Sequence, residues 1–81
     1  MFIYKFCFMH IGNRIKEILV KKGRTAIWLA AQIPCERSNV YHIFRREDIN
    51  LNLLCRISII LGHNFLAELS EEMQNELDSM K

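Results

Sequence analysis

Proline and glycine are scarce in this chain of 81 residues, which holds one Pro and three Gly. With so few breakers, and little strict alternation of apolar and polar residues beyond residue 10, the pattern speaks against a sheet of many short strands. It predicts helices joined by short turns. Cysteine is also scarce: Cys7, Cys35 and Cys55 are odd in number and widely spaced, which fits a reducing, cytosolic setting better than a disulfide framework. No C-x-x-C or H-x-x-x-H pair occurs. A zinc site assembled from Cys35, Cys55, His42 and His63 therefore lacks the usual ligand spacing, and small half-buried thiols are the plainer reading. A Cys–His nucleophile would need an orienting third group and a Gly-rich oxyanion turn, and the chain offers neither. No enzyme activity, metal or cofactor is expected, and no apolar run is long enough to span a membrane.

What is present is an even globular composition. Half the residues are apolar and a quarter charged, with no repeat and no low-complexity run, so one small domain with one core is expected, burying about 60% of its unfolded surface. The net charge is +2, but it is unevenly spread. Residues 1–63 carry ten Lys or Arg against four acids, and residues 64–81 carry one Lys against five acids. The first part suits a polyanion; the second does not.

Residues 1–10 form an extension whose first nine, MFIYKFCFM, are almost wholly apolar. Phe2, Tyr4, Phe6 and Phe8 alternate with Ile3, Lys5, Cys7 and Met9, which allows a strand pairing with its copy in a dimer. A translation start at Met9 is the other reading. The stretch lacks the small-residue cleavage site of a secretory signal.

From Ile11 onward, Ile11, Ile15, Ile18 and Leu19 recur at helical spacing, and Gly23 closes this first helix. Thr25 is placed to cap a second, short helix with Leu29, Ala30 and Ile33 inward, ending before Pro34. A third helix starts near Glu36 or Arg37, buries Val40, Ile43 and Phe44, and ends around Arg46 to Asp48. Leu51, Leu54, Ile57, Ile60 and Leu61 define a fourth, nearly all apolar and expected to be central, closed by Gly62. Phe65, Leu66, Leu69, Met73 and Leu77 mark a fifth. Residues 11–70 form the expected domain, and 71–81 an acidic helix end or tail.

The second and third helices have the spacing of a helix-turn-helix. With Ala26 as the first position of a twenty-residue unit, Leu29, Ala30, Ile33, Val40 and Ile43 fall where such a unit needs apolar or small residues. The remaining face of the third helix is polar. An α-helix fits the major groove of DNA, so Arg37, Ser38 and His42 are the candidate base-contacting residues, Arg37 by forking onto guanine. Asn39, Tyr41, Arg45 and Arg46 are expected on the phosphate backbone, as are Lys21, Lys22 and Arg24 near the start of the second helix. Trp28 reads as helix packing and not as a base-stacking platform.

The stretches IGNRIKEILVKKG, TAIWLAAQI, RSNVYHIFRR and LNLLCRISIILGHNFLAEL follow one another in the order of the five helices of a known family. The chain resembles the helix-turn-helix regulators of the Cro and phage-repressor type, the xenobiotic response element (XRE) family, over residues 11–70. WLA, NVY-x-IF and LGHNF resemble most a branch found in Bacteroides-type bacteria. The resemblance implies an all-α, five-helix, lambda-repressor-like domain that regulates transcription by binding double-stranded DNA. Departures exist: Ala26 stands where the family often has a phosphate-contacting Gln, Pro34 where the turn commonly has Gly, and Glu36 where a Ser or Thr cap is preferred.

One such module buries too little surface for tight binding, so relatives act as dimers on half-sites about 34 Å apart. The expected homodimer contacts are the fifth-helix stripe Leu66, Leu69, Met73 and Leu77, and Ile59 on the fourth helix. The acidic fifth helix also supports an alternative, an antitoxin or other protein-interaction module partnered by a toxin or a sensor.

Overall fold

A computed structural model describes residues 9–33 and 37–80, apart from the side chains of Arg37 and Ser38. Residues 1–8, which bear on the two readings of the N-terminal extension, and the Pro34–Cys35–Glu36 turn lie outside the described residues. The described residues form an all-helical fold. Its five helices are α1 (Ile11–Lys21), α2 (Ala26–Gln32), α3 (Arg37–Arg45), α4 (Leu51–Leu61) and α5 (Phe65–Ser79), with no strand among the described residues. Among those residues no single helix is long and apolar enough to cross a membrane.

Local chemistry sets most helix ends. Oxygen or nitrogen atoms of His10, Thr25, Asn50 and Asn64 accept backbone N–H bonds from the first turns of α1, α2, α4 and α5, satisfying donors that have no partner inside the helix. Both α1 and α4 end on a glycine in the left-handed region, Gly23 at φ 71° and Gly62 at φ 64°. The N–H of the residue after each glycine then reaches back to a carbonyl five residues earlier, Arg24 to Leu19 and His63 to Ser58, both at 3.0 Å.

All five helices feed one core. Ile15, Leu29, Val40, Ile57 and Phe65 are its fully buried members, one from each helix. The central element is α3, which packs closely on both α1 and α2, while α4 pairs chiefly with α5 across a bend of 118°. This corrects the expectation that α4 is central. Its composition is apolar, but only Leu54, Ile57 and Leu61 are buried, and Leu51 and Ile59 face solvent. Helix α5 continues unbroken through Ser79, so residues 71–79 are a helix end and not a loose tail.

Helix α1 braces α3 end to end. The backbone N–H groups of Ile11 and Gly12, unpaired within α1, donate to the carbonyls of Glu47 and Arg46 just beyond α3, at 3.0 and 2.9 Å. A positive helix end thus meets a negative one. The approach is so close that a Cβ on Gly12 would fall within 3.0 Å of the carbonyls of Ile43 and Phe44.

An ion-pair cluster ties α1 to α5. Arg14 donates to Glu68 through Nη2 at 2.6 Å and through Nε, and to Glu17 through Nη1 at 2.8 Å. His63 Nε2 lies 3.1 Å from Glu68 Oε1, though it is buried and not aligned for a well-formed hydrogen bond. Hydrogen bonds from Arg14 hold the Glu68 carboxyl below its ordinary value against the opposing cost of burial, and the same bonds raise the Arg14 guanidinium. Because the folded carboxyl is depressed relative to the unfolded one at about 4.3, the pair's stabilisation is present above that pH. It is lost as pH falls through the depressed value. Urea unfolding of Glu68→Gln should therefore show a flatter fall in stability below about pH 5 than wild type; superimposable profiles would mean that the cluster adds nothing.

Candidate nucleic-acid interface

Helix α3 has two contrasting sides. Val40 is fully buried, with Ile43 and Phe44 nearly so, and at 100° per residue this places His42 and Arg45 on the opposite side. Asn39, Tyr41, His42, Arg45 and Arg46 are all exposed, as expected from the sequence. The Tyr41 and Phe44 rings meet edge-to-face, with centroids 6.0 Å apart, so Tyr41 leans on a core residue while about half of it (49%) stays exposed. Asn39, His42 and Arg46 share a shallow groove with Ile33, Ile43 and Leu53. Arg37 and Ser38 form the first turn of α3, and their side chains lie outside the described residues.

Unpaired positive charge marks this face. Helix α3 contains no acid, and Arg45 and Arg46 form no ion pair among the described residues. Arg14, by contrast, spends its donors on Glu17 and Glu68. The unpaired guanidinium groups keep their forked donors for an external anion.

The second basic group lies where α1 passes into α2. Lys21, Lys22 and Arg24 are exposed. The guanidinium of Arg24 stacks over Trp28 at 4.7 Å from the ring centroid, and Lys22, Arg24 and Trp28 line a small cleft with Ile60 and Leu61 of α4. Lys22 Nζ lies 3.9 Å from where a Cβ on Gly62 would be, close to the carbonyl end of α4. The Arg24–Trp28 stack is a pairing that the sequence reading missed, although the i, i+4 spacing of a guanidinium and an indole was its signal.

Of the four residues considered for zinc, the three that are described do not form one cluster. His42 lines the α3–α4 groove, whereas the half-buried, unbridged Cys55 shares a different groove with His63, and Cys35 lies outside the described residues. No cluster of three or more metal-ligating side chains occurs among the described residues. Comparison with family models, with curated proteins and with solved structures finds no match to this chain.

Proposed function

We propose that the protein is a sequence-specific DNA-binding regulator of transcription of the Cro and phage-repressor type, acting in the cytoplasm, with α2 and α3 as its helix-turn-helix. The observation that carries this reading is the two-sidedness of α3, anchored by Val40 and Ile43 while an acid-free polar face stays open. A helix with its side chains is about 10–12 Å across, and the major groove is about 12 Å wide. Arg37, Ser38 and His42 are assigned to bases, and Asn39, Tyr41, Arg45, Arg46, Lys21, Lys22 and Arg24 to phosphates.

Selection of bound sequences from a random oligonucleotide pool, followed by gel shifts on the selected operator, tests the proposal. Arg37→Ala is expected to cost about 1–3 kcal/mol and to relax base choice at one position. Arg45→Ala should weaken all sequences alike and reduce the salt slope by about one. Wild-type affinity in both variants would remove α3 from the groove.

The protein is proposed to act as a homodimer through the α4–α5 edge. Ile59, 80% exposed, and Leu66 border a groove with Cys55, Ser58, Gly62, His63 and Asn64. That lining contains no Asp, Glu, Lys or Arg, so two copies can meet there without acid–acid or base–base repulsion. The distal stripe of α5 is different, because Met73 and Leu77 lie among Glu71, Glu72, Glu76 and Asp78 and the helix has no Lys or Arg. Two such surfaces repel each other. That acidic, apolar stripe favours a second reading, a protein-interaction module for a basic partner such as a toxin. Stoichiometric copurification of a protein, with no DNA affinity, would select it.

A further inference from the structure

We propose that Trp28 is the platform of a phosphodiester-binding seat at the α1–α2 junction, holding the Arg24 guanidinium by its face so that its edge is presented to a nucleic-acid backbone. The inference rests on the DNA-binding reading and adds to it a residue with no charge of its own. Arg24 is held between two fixed points. Its N–H is bonded to Leu19 after the left-handed Gly23, and the next residue, Thr25, accepts the N–H of Trp28 at 3.1 Å. The backbone therefore presents Arg24 and Trp28 in one register, four residues apart. The indole is half-buried and packed against the core, and it shares its cleft with Ile60 and Leu61, so the platform is anchored.

Stacking differs from ion pairing in what it leaves available. A guanidinium on an aromatic face uses none of its five N–H donors, so it is oriented yet still able to take two phosphate oxygens at once. Arg24 forms no ion pair among the described residues. Because its rotamers are already restricted, less freedom is lost when the anion binds. Lys22 is placed otherwise, its ammonium set against the carbonyl end of α4, which already attracts a cation. Arg24 is thus the main contact of this seat and Trp28 its positioning residue.

The test uses the full chain, a fluorescently labelled mixed-sequence DNA duplex read by anisotropy across a salt series, and inorganic phosphate as the free-anion control. Trp28 is the sole tryptophan, so its emission also reports directly on wild type. The duplex is expected to change that emission, and inorganic phosphate at matched ionic strength to leave it unchanged. Arg24→Gln and Trp28→Leu should each weaken duplex binding about three- to tenfold and lower the salt slope by about one, although Trp28→Leu alters no charge. Trp28→Phe should retain most of the affinity, and the double variant should be little weaker than either single one. Arg24→Lys, a surface change that does not threaten folding, should lose affinity although it keeps the charge. Wild-type affinity and slope in Arg24→Lys, or in a folded Trp28→Leu, would overturn the seat while leaving DNA binding intact. An equal emission response to inorganic phosphate would overturn the phosphodiester assignment. Absence of duplex binding by wild type would overturn the DNA-binding reading itself.

Discussion

Gly12→Ala is expected to destabilise the protein by about 2–4 kcal/mol, although alanine is the better helix former by about 1 kcal/mol. The added methyl would meet the carbonyls of Ile43 and Phe44 at less than 3.0 Å, and these are backbone atoms that cannot swing aside. To relieve the collision α1 must move from the end of α3, which stretches the bonds from Ile11 and Gly12 to Glu47 and Arg46. Two hydrogen bonds, each worth about 0.5–1.5 kcal/mol net, are then at risk along with the packing. In a domain of this size such a loss corresponds to a fall in Tm of roughly 10–25 °C. Gly23→Ala is the control. Nothing lies within 4 Å of its missing Cβ, so it should lose only about 1–2 kcal/mol for the left-handed backbone. Thermal unfolding that ranks Gly12→Ala at or above wild type would show that the close α1–α3 approach is absent.

What the sequence made legible was local. Gly23 and Thr25 lie beside the helices they delimit, and their φ freedom and side-chain oxygen act within a few residues. Val40, Ile43 and Phe44 were identified by periodicity because a helix turns by a constant angle, and the exposed face followed from the same arithmetic. What it hid were pairings across the chain. Arg14 looks like any outer-face charge until α5 brings Glu68 to it from 54 positions away. Gly12 carried a weak clue, since a glycine in the first turn of a helix is unfavourable unless something needs the space. The misjudged centrality of α4 has a similar cause: counting apolar residues measures how much could be buried, whereas the exposed Ile59 shows that nothing among the described residues covers that side.

The brace from α1 also bears on the proposed DNA contact. A recognition helix discriminates bases only if its face is held at a defined angle, and α3 is fixed along Val40 and Ile43 and again at its end by the α1 amides. Its last turn, with Arg45, therefore stands on a rigid support. Asn39, His42 and Arg46 open onto the groove shared with Leu53 of α4. The two basic groups thereby serve different ends: one is carried on the braced helix, the other on the α1–α2 junction stabilised by Thr25 and Trp28.

Ile59→Glu is expected to have the largest functional effect, lowering affinity for an operator with two half-sites by about 10²–10⁴-fold while leaving binding to one half-site unchanged. The reasoning is electrostatic and geometric. In a two-fold dimer the same patch faces itself, so a carboxylate placed at an 80% exposed position beside a groove without Lys or Arg would lie close to its own copy and lose water without gaining a strong partner. Fold stability should change little, because Ile59 contributes little to the core of its own chain. In the proposed homodimer the second half-site contact is intramolecular, and loss of the dimer would remove that gain without touching α3. Sedimentation analysis should show the variant as a monomer at concentrations where wild type is dimeric. Met73→Glu is the counterpart on the already acidic stripe of α5 and should leave the dimer intact. If Met73→Glu dissociates the protein and Ile59→Glu does not, the interface lies on distal α5, and repulsion between its acids is weaker than the burial of its apolar stripe.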